Sequence, residues 1–272
     1  MRLGPWRTNL TPARAVELFV IANFAFLGGD IALAHLANRY AERAEWAPLL
    51  FSALAVPLLS LGALGLIGAR WRSRVDLSVA WCAVLLGISG MLFHLSSGFF
   101  AEQTLRNLVY AAPFVAPLAY VGVGLLQLLV SMERADSDAL GPWVLRLALG
   151  GVLGNLALSL LDHAQNGFFH LTEWLAVATS ALCAGFLVVA LVRPQRAFLQ
   201  LCFWVCAAQA AVGGMGFVLH ALADLHARDA SWLDRLVFGA PLFAPLLFVN
   251  LSLLASIGLW ALLRTIAQEE TR

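Results

Sequence analysis

The sequence predicts an all-α integral membrane protein in which about eight transmembrane helices form a single domain. Hydrophobic residues make up 61% of the 272 residues and charged residues only 12%, whereas about 25% charged residues is usual in soluble domains. Apolar runs recur along the whole chain, and each approaches the roughly 20 residues that a helix needs to cross bilayer hydrocarbon. No stretch remains for a separate globular core.

Short polar or turn-rich breaks divide the apolar runs and set the ends of the predicted helices. They predict spans at Ala15–Leu36, Ala47–Ala69, Leu77–Gly98, Leu108–Met132, Val144–His163, Leu171–Val192, Phe198–Ala221 and Leu236–Leu263. Because the breaks are short, consecutive helices are expected to be antiparallel neighbours. Thr11 and Pro12 predict an N-cap and a first-turn proline at the start of the first helix.

The arginines are distributed unevenly between the two ends of the predicted helices. Five lie on one side, namely Arg39, Arg43, Arg106, Arg228 and Arg235, and the other twelve lie on the opposite side. Short cytoplasmic loops carry the excess of arginine, so both termini are predicted to lie in the cytoplasm. The Lys-free, Arg-rich and Ala-rich composition is typical of a bacterium with a GC-rich genome and therefore predicts an inner-membrane protein.

The composition also excludes several classes of function. Without a lysine the chain has no retinal or pyridoxal-phosphate Schiff base and no Walker A phosphate loop. The net charge is +1 and the arginines are scattered, so nucleic acid is not expected as a partner. The expected partners are the lipid bilayer and other membrane subunits.

An internal repeat with a period of about 60 residues and two helices per unit is the next feature. The units cover residues 15–69, 77–132, 144–192 and 198–263, and the second and fourth both contain Ala-Pro-x-x-Ala-Pro, at 112–117 and 240–245. Each unit holds an even number of spans, so all four are expected to have the same orientation. The proline pairs are expected in the first turns of the even-numbered helices.

All six histidines fall at the predicted outer ends of helices or in the outer loops. His35, His94, His163 and His220 occupy equivalent repeat positions near the outer end of each odd-numbered helix. Imidazole nitrogen is a common ligand of zinc, copper, iron and haem iron. If the four rings converge at one level, the sequence predicts a transition-metal (copper, iron or zinc) or haem site close to the outer face.

Carboxylates and further histidines surround this predicted site, and they are expected to be additional ligands or to orient the ligands. Two of the carboxylates are close to repeat histidines, because Asp162 adjoins His163 and Asp224 lies four residues after His220. His170 and Glu173 are three residues apart, and His226 lies in the predicted outer loop. The added candidates are therefore Asp162, His170, Glu173, Asp224 and His226. The alternative is that all these residues only face the water interface, with copies inherited from duplication of an unremarkable segment.

Small residues lie one turn before two of the histidines, in Gly90-x-x-x-His94 and Gly216-x-x-x-His220. This spacing leaves room for a flat macrocycle, but it equally serves close helix packing.

Other polar residues lie deeper in the predicted spans. Asp30 is about one turn deeper than His35, and an acid at that depth is by default a functional candidate, as a proton relay, a ligand or a buried neutral carboxyl. Asn155, Gln209 and Asn250 are expected to bridge helices. The four cysteines inside spans are expected to behave as small apolar residues.

Three functional hypotheses remain from the sequence. The first is a metal- or haem-binding redox or accessory subunit of a membrane complex. The second is an assembly subunit without a cofactor, and the third is a small-solute or proton-coupled transporter that uses Asp30. No serine-hydrolase elbow, zinc-protease helix, dinucleotide-binding turn or Cys-x-x-Cys pair occurs in the chain, so the sequence does not indicate an enzyme class.

Overall fold

The computed structural model describes residues 10–110, 112–132, 138–226 and 231–270, and all regular structure within those ranges is helical. The helices are α1 (Pro12–Leu36), a 3₁₀ helix (Arg43–Trp46), α2 (Ala47–Ala63), α3 (Ala69–Ser96), α4 (Leu105–Tyr110), α5 (Leu118–Met132), α6 (Leu140–Gln165), α7 (Glu173–Val192), α8 (Arg196–His226), α9 (Trp232–Phe238) and α10 (Leu246–Glu269). Seven helical segments in the described ranges are long and apolar enough to cross a membrane. The chain is therefore a multi-pass membrane protein.

The first helix begins as its sequence predicts. The Thr11 side chain accepts a hydrogen bond from the backbone N–H of Arg14 at 3.2 Å, and Pro12 occupies the first turn. A proline costs little there because the helix leaves its first N–H groups without intrahelical partners.

Prolines divide two of the predicted spans. Leu108–Met132 becomes α4 and α5, and Leu236–Leu263 becomes α9 and α10, with turns at the Ala-Pro-x-x-Ala-Pro segments. The prediction that these prolines lie in the first helical turn was wrong, because they fall in the turns or directly before α5 and α10. With 15 residues, α5 is shorter than the other spans.

Four helices, α1, α5, α6 and α10, form the centre of the bundle. Helix α1 contacts α5 and α10, and α6 contacts the same two helices, so α1 and α6 lie at opposite corners. Helices α2 and α3 pack on one side of this centre, and α7 and α8 on the other. The short helices cross between the sides, because α4 contacts α6 and α9 contacts α1.

The contact between α3 and α5 matches the contact between α8 and α10. A methyl group added at Gly87 would lie 2.7 Å from the carbonyl oxygen of Pro117, and one added at Gly213 would lie 2.7 Å from the carbonyl oxygen of Pro245. In both cases only glycine allows the helix to approach the backbone of its partner this closely.

The loops that follow α1 and α6 also match. Tyr40 and Phe168 have positive φ angles of 52° and 55°, and their rings stack on Trp46 and Trp174 with centroid distances of 4.4 and 4.2 Å. These paired residues are 128 positions apart, and the glycines above are 126 apart. Matching contacts therefore recur between the segment before residue 132 and the segment after residue 140.

An ion-pair network joins the predicted inner ends of α1 and α3. Glu17 accepts from the guanidinium group of Arg14 and, at 2.7 Å, from that of Arg72. Arg72 also lies 3.6 Å from Asp76. The Glu17 side chain is only 13% exposed, so its charge depends on these two arginines for compensation.

Candidate functional site

The four repeat histidines come together as two pairs rather than as one group. His35 of α1 and His94 of α3 have ring centroids 6.3 Å apart, with planes inclined by 60°. His163 of α6 and His220 of α8 are close enough to interact electrostatically. Within the described ranges no hydrogen bond, ring contact or electrostatic interaction joins one pair to the other. The structure therefore arranges the rings as two sites, one on each side of the bundle.

Each of the four rings has its Nδ1 atom facing an oxygen. Backbone carbonyls accept from three of the rings: that of Glu45 from His35 (3.2 Å), that of Pro113 from His94 (3.0 Å) and that of Pro241 from His220 (2.9 Å). The Glu173 carboxylate lies 3.4 Å from Nδ1 of His163 without forming a hydrogen bond. Carbonyl oxygens only accept, so Nδ1 carries the proton in the rings of His35, His94 and His220. The lone pair of each neutral imidazole is then on Nε2.

No partner for Nε2 of these four rings occurs among the residues that the structure describes. A fixed Nδ1–H and an open Nε2 are what metal-ligating histidines show, because the second-shell acceptor sets the tautomer and the ring orientation. All four histidines are half-buried.

The breaks before α5 and α10 supply the acceptors for His94 and His220. The carbonyls of Pro113 and Pro241 lie in these turns, where no regular helix continues past them. The N–H of the residue before each proline donates to a side chain at the end of the preceding long helix, Ser97 on one side (3.3 Å) and Asp224 on the other (2.8 Å). The prolines thus position the histidines through their carbonyl groups.

A glutamate adjoins each pair at matching positions, Glu45 and Glu173. In both, the Oε2 atom is buried and has no hydrogen-bond partner in the described structure, although Oε2 of Glu173 faces the His163 ring. Partial burial and the charge of Glu45 raise the pKa of Tyr40, so its hydroxyl stays protonated and donates to the carbonyl of Ala32 at 2.8 Å. Each site therefore contains two imidazoles and at least one nearby carboxylate.

The other predicted ligands have different surroundings. Asp224 holds the turn before α10, as described above, and its Oδ2 atom is buried without a partner. Asp162 interacts electrostatically with His220. Glu173 accepts the backbone N–H of His170 at 3.3 Å, and the ring of His226 contacts the carbonyl of Leu222 on its own helix. Both of these histidines are exposed.

The residues present fit some metal centres better than others. Among the described residues, no three His, Cys, Asp or Glu side chains are grouped closely enough to hold an ion together. A structural zinc site, which takes four protein ligands, does not fit this arrangement. A centre with two imidazole ligands and open positions fits the His35–His94 pair, whose ring centroids are 6.3 Å apart.

The glycines before His94 and His220 serve helix packing and leave no space for a macrocycle. A methyl group at Gly90 would lie 2.9 Å from Cβ of Pro117, and one at Gly216 would lie 3.0 Å from Cβ of Pro245. Helix faces that touch a proline ring have no gap for a porphyrin.

The deeper polar residues lie elsewhere in the bundle. Asn250 bridges helices as predicted, since its side chain and that of Asn23 donate to each other across α10 and α1. Both side-chain polar atoms of Gln209 are buried without a partner. Asp30 and Asn155 line a cavity between the four central helices.

The cysteines follow the apolar interpretation in part. Cys183, Cys202 and Cys206 are buried between α7 and α8, whereas Cys82 is exposed on α3. None of the four forms a disulfide.

Comparison of the chain with protein-family models, curated proteins and solved structures finds no match.

Proposed function

We propose that the protein binds a transition-metal ion at each of the two histidine pairs and acts as a redox or accessory subunit of a membrane complex. The observation that carries this proposal is the common state of four rings: Nδ1 faces an oxygen and Nε2 is open. In each site the two Nε2 atoms are the ligands.

The separation of the rings supports a shared ion. Two metal–nitrogen bonds of about 2.0 Å each place two imidazole centres roughly 5 to 6 Å apart. His35 and His94 are at 6.3 Å, so a small rotation of the rings suffices. Copper is favoured over iron and zinc, because it forms the most stable complexes with nitrogen ligands when few of them are present.

The carboxylates support a cation. Glu45 and Glu173 place negative charge beside each pair, and their Oε2 atoms, which form no hydrogen bond in the described structure, offset the charge of a bound ion. The open coordination positions face the outer side, where a water, a substrate or a partner subunit completes the shell.

The same proposal includes the membrane arrangement inferred from the sequence. Helix α5 spans only about 22 Å, but the Ala-Pro-x-x-Ala-Pro segment before it lengthens the path, and together they supply an eighth crossing. An even number of crossings puts both termini on the same side of the membrane, and the arginine distribution favours the cytoplasmic side of a bacterial inner membrane. The four two-helix units then share one orientation, and the matching contacts 126 to 128 residues apart support their origin by duplication.

The metal content of purified variants tests the proposal. The protein is purified in mild detergent, and bound metals are measured by mass spectrometry together with the visible absorption spectrum. Because each pair is a separate site, His94→Ala and His220→Ala should each lower the metal content by about half, and the double variant should remove nearly all of it.

His226→Ala is the matched control, since His226 is an exposed outer histidine that contacts only its own helix, and its metal content should equal that of the wild type. Loss of all metal in either single variant would indicate one centre shared by four rings. A metal-free wild type that co-purifies with other membrane chains would overturn the proposal in favour of an assembly subunit.

A further inference from the structure

A cavity of about 340 Å³ lies between the four central helices and opens to the surroundings. Most of its walls are leucine, valine, alanine and glycine, and the polar lining consists of Asn23, Asp30, Arg146, Asn155 and Asn250. This volume and lining are typical of sites for small ligands, in which an apolar wall carries a few placed polar groups. The site is separate from the histidine pairs and does not rest on the proposed metal function.

Two of the polar side chains in the cavity satisfy each other. Asn23 and Asn250 exchange hydrogen bonds, and Asn23 also donates to the carbonyl of Phe19 at 2.8 Å. These amides close one wall and need no ligand.

Asn155 on the opposite corner is different. The residue is only 5% exposed, and its Nδ2 atom is buried with no hydrogen-bond partner among the described residues. An unpaired amide donor in such surroundings costs about 1 to 3 kcal/mol. A ligand with a hydrogen-bond acceptor at this position would recover that cost.

Asp30 supplies a second polar group, on the facing helix α1. It lines the same cavity and makes no hydrogen bond or ion pair in the described structure. The loops after α1 and α6 match with an offset of 128 residues, so Asn155 of α6 corresponds in depth to Leu27 of α1. Asp30 follows Leu27 by three residues and therefore lies about one helical turn further toward the predicted outer side than Asn155 does. Asp30 is half-buried, and a carboxyl group that faces an apolar ligand is cheaper to desolvate with its proton attached, so that it then donates.

The two groups have no polar counterparts across the bundle. The residues 128 positions from Asp30 and Asn155 are Leu158 and Leu27, which also line the cavity. One end of the cavity wall therefore carries both donors, and a ligand is held in a single orientation.

We propose that the central cavity binds one lipid-soluble carbonyl compound of the quinone class, with Asn155 Nδ2 donating to one carbonyl oxygen and the Asp30 carboxyl group donating to the other. A quinone ring carries two acceptors and no donor, which complements two donors. Its apolar tail matches the leucine and valine walls and reaches the opening from the lipid.

Quinone binding is measured by titrating the purified full-length protein in mild detergent with decyl-ubiquinone and following the quenching of tryptophan fluorescence. Asn155→Leu and Asp30→Leu should each weaken binding by about tenfold, the usual effect of one lost hydrogen bond in a site. Asp30→Asn retains a donor and should bind within a few-fold of the wild type.

Gln209→Leu is the matched control, because it also replaces a buried amide without a partner but lies outside the cavity. It should bind as the wild type does, and so should the His94→Ala and His220→Ala double variant, whatever its metal content. Equal affinity of Asn155→Leu, Gln209→Leu and wild type would overturn the proposal. Asp30→Asn as weak as Asp30→Leu would also overturn it, since the carboxyl group would then be acting as an anion.

Discussion

Replacing Gly213 by alanine tests whether close packing of α8 on α10 positions the second histidine pair. The added methyl group would lie 2.7 Å from both Cβ of Phe248 and the carbonyl oxygen of Pro245. Optimal contact between such atoms requires about 3.5 to 4.0 Å. One of these atoms is backbone, so the helices must separate by about 1 Å.

This separation has two measurable effects. Forced overpacking of a tight contact lowers the free energy of unfolding by about 1 to 3 kcal/mol. The hydrogen bond between His220 and Pro241 joins the same two segments and is 2.9 Å long, so a shift of about 1 Å takes it beyond hydrogen-bonding distance. We therefore expect Gly213→Ala to lose both stability and metal at the second site.

Gly214→Ala is the adjacent control, since a methyl group there meets nothing within 4 Å. It should leave stability unchanged or raise it slightly through better helix propensity. Unfolding is followed by circular dichroism in mixed detergent as the denaturing fraction rises, and metal content is measured on the same samples. Equal stability of the two variants would refute the reasoning, as would retention of full metal by a destabilised Gly213→Ala.

Two further substitutions use partners seen in the structure. Ser52→Ala should lower the free energy of unfolding by about 0.6 to 1 kcal/mol, because the Ser52 hydroxyl pairs with that of Tyr120 at 2.7 Å. Ser180→Ala removes a fully buried hydroxyl that has no partner in the described structure, so it should be neutral or stabilising. Equal losses of stability in the two variants, measured in the same unfolding assay, would contradict this prediction. Glu17→Gln should cost about 1 kcal/mol because the 2.7 Å ion pair with Arg72 is lost. The cost should shrink at high salt, since Arg72 is partly exposed, and a cost unaffected by salt would point to packing instead.

The membrane spans could be predicted because hydrophobic length and composition determine them locally. The start of α1 at Thr11 and Pro12 and the seven long apolar segments follow from the sequence alone. The breaks before α5 and α10 could not be predicted from the sequence, because the apolar composition continues through them. Proline signals a helix start and a helix break equally well, and only the geometry of the surrounding helices separates the two.

The candidate site could be predicted in its residue types but not in its grouping. The outer position of His35, His94, His163 and His220 is visible in the sequence. Their arrangement as two pairs depends on which helices are neighbours. Four equivalent histidine positions are compatible either with one group of four side chains or with two pairs. Glu45 was missed because it is far from a histidine in sequence, although it lies 128 residues before Glu173.

The central cavity had no sequence signal beyond Asp30. Asn155 reads as one of several amides that bridge helices, and Asn250 does bridge. Whether a buried amide finds a partner depends on the side chain opposite, which is set by tertiary packing. The distinction between a bridging amide and an open donor therefore exists only in three dimensions.

The atoms that face the histidine rings favour the proposed ligand site over inherited, unselected copies. If the pairs were only remnants of duplication, each ring would be satisfied by whichever nitrogen happened to face a neighbour. Instead the four Nδ1 atoms face oxygens of different origin: two proline carbonyls at helix breaks, one glutamate main-chain carbonyl and one glutamate carboxylate. The atom facing Nδ1 differs between His35 and His163, a main-chain carbonyl in one and a carboxylate in the other, whereas the atom facing Nδ1 of His94 and His220 is a proline carbonyl in both. A hydrogen bond that serves packing alone does not require a particular tautomer, but a metal ligand requires an imidazole whose other nitrogen is free.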